Sequence, residues 1–97
     1  MTETATIETF SQLTNKKFVM HFGESQSTEL ELLTVADVGS SDRQLQFSVV
    51  FVGRNAPILQ GIYRLEHDAL GTFDIFLVPI GMDQNGIQFE AIFNRML

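Results

Sequence analysis

The sequence predicts a mainly β domain: a six-stranded antiparallel meander, closing into a small barrel or a two-layer sandwich, with a short N-terminal helix. Three observations carry that expectation. Six segments show the period of two that places alternate side chains on opposite faces of a strand. Each is bounded by Gly, Pro, Asn, Asp or Ser, the residues that turns require. The links are too short for the helical crossovers that join parallel strands. A sheet of this kind has to curl or double over to bury its apolar face.

The elements follow in order. Over Thr6–Thr14, Ile7, Phe10 and Leu13 recur every third residue, the spacing of one helical face, and Glu8 lies toward the favourable end of the dipole. Asn15 is a natural stop. From Lys16 the period changes: Phe18, Met20 and Phe22 alternate with Val19 and His21 until Gly23. Thr28–Val38 begins with Leu30 and Leu32 on one face and continues with Leu33 and Val35 in the opposite parity. One extra residue reverses every later side chain, so a β-bulge or bend is expected near Leu32-Leu33.

After a loop at Gly39-Ser40-Ser41-Asp42, Leu45–Val52 reads as a central strand, with Phe47, Val49 and Phe51 on one face. Pro57 marks the next loop, since it cannot donate to a ladder. Gly61–His67 places Tyr63 and Leu65 opposite Arg64 and Glu66. Asp68–Gly71 turns the chain into Thr72–Ile80, where Phe73, Ile75 and Leu77 alternate with Phe76, Val78 and Ile80. Asp83-Gln84-Asn85-Gly86 contains the Asn-Gly pair typical of tight hairpins, and Ile87–Phe93 alternates to the end. With 97 residues the chain is one domain, 1–97, of which 1–5 reads as a flexible N-terminus.

Charge and composition narrow the function. Twelve Asp and Glu against six Lys and Arg give a net charge of −6, and the acidic groups are scattered. Lys16-Lys17 is the one adjacent basic pair, too little to neutralise a phosphate backbone or to hold an anionic membrane. Neither nucleic acid nor membrane is therefore an expected partner. The absence of cysteine excludes disulfides, thiolate metal sites and thiol catalysis. Met1–Phe10 has no basic and apolar regions of a signal peptide, and no apolar run approaches the roughly 20 residues that cross a bilayer. The expected location is the cytoplasm, with export inside an assembly left open.

No catalytic, cofactor or metal residues are assigned. His21 and His67 lie in strand segments with no ligand spacing around them, and Glu66 and His67 point to opposite faces. His67 is expected to end its strand and bond to a turn backbone. Ser48 sits within a strand, without the sharp turn that exposes a nucleophile. Gly81–Gly86 has the length of a phosphate loop, but Ile87 and Gln88 follow where Lys and Ser or Thr are needed. An enzymatic alternative would have to be assembled from scattered groups such as His67 and Asp74.

What remains is a second apolar face. Most phenylalanines, including Phe18, Phe47, Phe51, Phe73 and Phe89, read as core. Yet Val50, Val52, Phe76, Val78, Ile80 and Ile92 have the opposite parity, where a single sheet in water would be polar. These six form the candidate interface, covered by a second layer of the same chain or by another subunit. The final stretch, Ile92–Leu97, adds a pairing edge.

The stretches Phe47–Phe51, Leu59–His67, Leu70–Phe73, Phe76–Gly81 and Phe89–Arg95 together resemble a bacterial family of small uncharacterised β domains, over about residues 10–95. The resemblance lies in core and turn residues, so it implies a fold and no enzymatic activity. It also implies companionship with phage-tail-like or tail-collar-like proteins. Within it, Gln60, Tyr63, His67 and Arg95 are the polar side chains placed to fix an interface. The expected function is a non-enzymatic structural or interaction module that self-associates or docks on a larger, phage-tail-like assembly. The alternative is a small barrel that binds an apolar small molecule inside.

Overall fold

Residues 7–96, apart from the side chain of Arg95, are described by the structure, a computed structural model. The expectation for residues 1–5 lies outside the described residues. One short helix and six strands follow in order: α1 (Ile7–Ser11), β1 (Lys17–Phe22), β2 (Gln26–Asp37), β3 (Gln44–Gly53), β4 (Gly61–His67), β5 (Gly71–Asp83) and β6 (Gly86–Met96). All neighbours are antiparallel, and the sheet closes on itself in the order β1-β2-β3-β6-β5-β4. Closure removes the free edges that an open sheet would expose to other chains.

The connectivity departs from a simple meander at one link. β1–β2–β3 and β4–β5–β6 are each meanders, but the chain after β3 crosses an end of the barrel. β4 thereby pairs with β1, and β3 with β6. The two seams are unequal. All ten residues of β3 have partners in β6, whereas β1 and β4 meet only at Val19–Glu66, Met20–Leu65 and His21–Arg64.

The bulge in β2 lies where parity places it: Leu32 pairs with Phe51 and Thr34 with Val50, leaving Leu33 as the extra residue. Backbone just before β1 clamps this bend. Asn15 N–H donates to the Leu32 carbonyl at 2.7 Å, and Leu32 N–H donates to the Lys16 carbonyl at 3.0 Å. Asn15 reaches that position with φ of 69°, a left-handed conformation that Asn tolerates better than most residues, and it ends the helical turn as expected. A second register shift, between Pro79 and Gly81, makes Ile80 the extra residue in β5. Beyond Leu77, β5 no longer has β4 opposite it, and Pro79 with this bulge lies on that stretch. Both devices discourage another strand from pairing there.

The interior is filled by the alternating faces read from the sequence. Phe18, Met20, Leu30, Leu32, Phe47, Val49, Phe51, Leu65, Leu77 and Phe89 are all essentially inaccessible. Phe10 of α1 is the plug at one end. Its ring lies 5.4–6.4 Å from those of Phe18, Phe47, Phe73 and Phe93, which belong to four different strands. Ile7 and Leu13 pack beside it, completing the helical face. At the opposite end Ala56, in the crossing link, is buried in the same core. The tight β5–β6 turn has Gln84 and Asn85 as its loop residues, with Asp83 opposite Gly86. Gly86 has φ of 129°, and a Cβ there would collide with the Gly53 carbonyl oxygen.

Candidate functional site

The outside of the barrel has two characters. On β1 and β2 it is polar: Lys17 lies opposite Glu31, Val19 opposite Glu29, and His21 opposite Ser27. The polar character continues onto β4, where His21 Nε2 and Glu66 Oε1 are 2.9 Å apart across the short β1–β4 seam. An ionised carboxylate can only accept, so in that state Nε2 carries the hydrogen. On the other side of β4, Arg64 Nε donates to Asp74 Oδ1 at 3.2 Å. These are exposed cross-strand pairs of the ordinary kind.

On β5, β6 and β3 the outside changes. Ile62 of β4 lies opposite Phe76 of β5, and Phe76 shares a groove of about 500 Å³ with Val78 and Ile92. Ile62, Phe76 and Ile92 are 72%, 52% and 53% exposed, so three adjacent strands each present a large apolar side chain to solvent. Asp74, Glu90 and Asn94 complete the polar part of the groove wall. Glu90 stands at one end of it, on β6 between Val78 of β5 and Val50 of β3, and is half-buried.

The six residues of the candidate interface therefore do not form one uniform patch. Phe76, Val78 and Ile92 line the groove, and Val50 adjoins it through Glu90. Val52 lines a separate groove, with Lys17, Glu29, Glu31 and Arg54. Ile80 is exposed at the β5 bulge, where the register shift interrupts the alternation that placed it with Phe76 and Val78. Two members of the face were not singled out by sequence. Ile62 has the parity of Arg64 and Glu66, which masks it among charges. Glu90 has the parity of Ile92, and the signal was one carboxylate interrupting an apolar set.

The polar side chains fall into local roles. His67 Nδ1 accepts a hydrogen bond from Ala69 N–H at 2.9 Å, the strand-end contact expected of it, and its ring lies 4.7 Å from that of Phe18. Tyr63 Oη donates to the Leu59 carbonyl at 2.6 Å, tying β4 to the crossing link. Gln60 is exposed in that link. Arg95 pairs through its backbone with Leu45, and its side chain lies outside the described residues. The β2–β3 loop is ordered by Asp37, whose Oδ1 accepts from Gly39 and Ser40 N–H, each at 2.9 Å. The Ser40 amide, then that of Gly39, hold its carboxyl below the ordinary value of 3.8.

Among the described residues, no group of three or more His, Asp or Glu side chains comes together in a way that could hold a metal ion. No helix among them is long and apolar enough to cross a membrane. A family model described as "Domain of unknown function (DUF6916)" matches residues 5–93. No curated protein and no solved structure matches the chain.

Proposed function

The chain belongs to the DUF6916 family, whose description assigns no activity, and from the geometry we propose that it is a protein-interaction module, with no chemistry of its own, docking through the outer face of β5 and β6. The observation that carries this reading is the exposed row Ile62, Phe76 and Ile92 across three strands, on a barrel whose β1–β2 flank is polar in the usual way. Burying one such side chain completely stabilises an association by about 1.5–3 kcal/mol. Contiguous exposed apolar side chains of this kind favour contact with another protein surface.

The barrel supplies a rigid platform for that face, since its interior and both ends are packed independently of the outside. The alternative of an apolar ligand inside would need space now taken by the rings of Phe10, Phe18, Phe47 and Phe51. Docking on a larger assembly, of the phage-tail-like kind suggested by resemblance, is one setting for such a module; the cytoplasm is the proposed location.

The test is a photo-cross-linking side chain placed at Phe76, and separately at exposed Glu29 on the polar flank, in cells that naturally make the protein. A discrete adduct at position 76, absent at 29 and abolished by Ile92→Asp in a variant that remains folded, is the expected result. Equal labelling at both positions, or no adduct at either, would overturn the reading.

A further inference from the structure

We infer that the occupant of this face is a cationic, apolar segment of a different protein: a lysine or arginine bracketed by aliphatic side chains and seated over Glu90. The inference rests on the docking reading above and adds the chemistry of the partner. Its basis is the setting of Glu90. The carboxylate lies between Val50 and Val78 on neighbouring strands, with Ile92 two residues along its own. Among the described residues, no Lys, Arg or His lines the groove that it occupies. Arg64, on β4 across β5, donates to Asp74.

A partner that covered the flanking apolar side chains with apolar ones alone would strip water from Glu90 and leave its charge uncompensated. A cation placed there restores the lost solvation as a charge-assisted hydrogen bond while its neighbours cover Phe76, Val78 and Ile92. The same feature disfavours a second copy of this chain. A two-fold contact centred on the groove apposes the same patch from both subunits, so a second copy brings another Glu90 carboxylate into the contact and no cation from the groove wall to meet either one, a like-charge arrangement. The net charge of −6 on each copy adds to that repulsion.

The experiment is a selection of displayed random 12-residue peptides on three immobilised proteins: the native chain, Glu90→Gln and Phe76→Asp. Circular dichroism first confirms that both variants fold. Peptides enriched on the native protein should carry Lys or Arg flanked by apolar residues. They should bind Glu90→Gln about ten-fold or more weakly, lose binding as salt rises, and fail on Phe76→Asp. Peptides that require Phe76 but show no cationic enrichment relative to those from Glu90→Gln would overturn the inference and leave the docking reading standing. Selection of the same peptides on Phe76→Asp, or of none on any protein, would overturn both. A native dimer in solution that Glu90→Gln tightens and Phe76→Asp dissolves would also overturn it, by making a second copy the occupant.

Discussion

Replacing Phe10 with alanine should remove the plug from one end of the barrel. The ring is completely buried and faces four other phenylalanines, so its loss combines the transfer cost of an aromatic side chain with that of the void left behind. Comparable substitutions cost about 3–5 kcal/mol. The upper part of that range applies, because α1 has five residues and is too short to persist alone. Without Phe10, half-buried Ile7 and Leu13 are the apolar side chains among the described residues that still pack this segment on the core, and its detachment would wet the rings beneath. With a urea slope of about 1.5 kcal/mol/M, reasonable for a chain this size, the unfolding midpoint should fall by roughly 3 M. Equilibrium urea unfolding followed by circular dichroism measures it, with Phe76→Ala on the half-exposed outer face as a control that moves the midpoint much less. A shift for Phe10→Ala below about 0.5 M, with unchanged slope, would refute the assignment of α1 to the cooperative core.

Three further outcomes follow from the same geometry. Gly86→Ala should cost about 2 kcal/mol or more in thermal or urea unfolding, because the new Cβ meets the Gly53 carbonyl at a positive φ; Gly81→Ala, which meets only the end of the Gln88 side chain, should stay within about 0.5 kcal/mol. Asp37 has a folded pKa below its unfolded one, so its contribution is present above about pH 4 and disappears as pH falls through the folded value; the difference in melting temperature between native protein and Asp37→Ala should shrink on acidification in that window, and a difference unchanged to about pH 2 would contradict it. A double-mutant cycle on His21 and Glu66, which are 42% and 52% exposed, should give a coupling of about 0.2–1 kcal/mol by urea unfolding, and a value above about 2 kcal/mol would show that the pair is not behaving as a solvent-screened one.

Local rules made most of the strands legible. Period-two alternation predicted Gly61–His67 to the residue, and the parity reversal at Leu32-Leu33 located the first bulge. Both are properties of consecutive side chains, which sequence displays directly. Strand order is not such a property. The seven residues from Arg54 to Gln60 are compatible with turning back beside β3 or with crossing the barrel, and the choice depends on which surfaces close the core. The second bulge was hidden for a different reason. Val78-Pro79-Ile80 is apolar on both parities, so an inserted residue leaves no visible reversal.

The candidate face was legible only as an excess. Sequence showed that Phe76, Val78 and Ile92 belonged to a second apolar set, but grouping them required knowing that β6 lies between β3 and β5. That same arrangement moves Val52 into a different groove and puts Glu90 between two valines. The functional content of the face therefore emerges from tertiary neighbours, in residues whose individual patterns are unexceptional.

The short β1–β4 seam bears on how the molecule assembles itself. Two three-stranded ribbons can form from neighbouring hairpins, but the ring closes only when β4 reaches back past β2 and β3 to β1, paying a long loop's entropy for three paired positions. Closure along β3 and β6 is far better rewarded, so the seam should be the last to form and the first to open. In amide exchange, the N–H groups of Val19–His21 that point across the seam to β4 would then lose protection, those that point to β2 would not, and Phe47–Phe51 would keep theirs. An opened barrel exposes two strand edges that match each other, and at high concentration such edges join between molecules, turning the closing stitch of one chain into a route for strand exchange with the next.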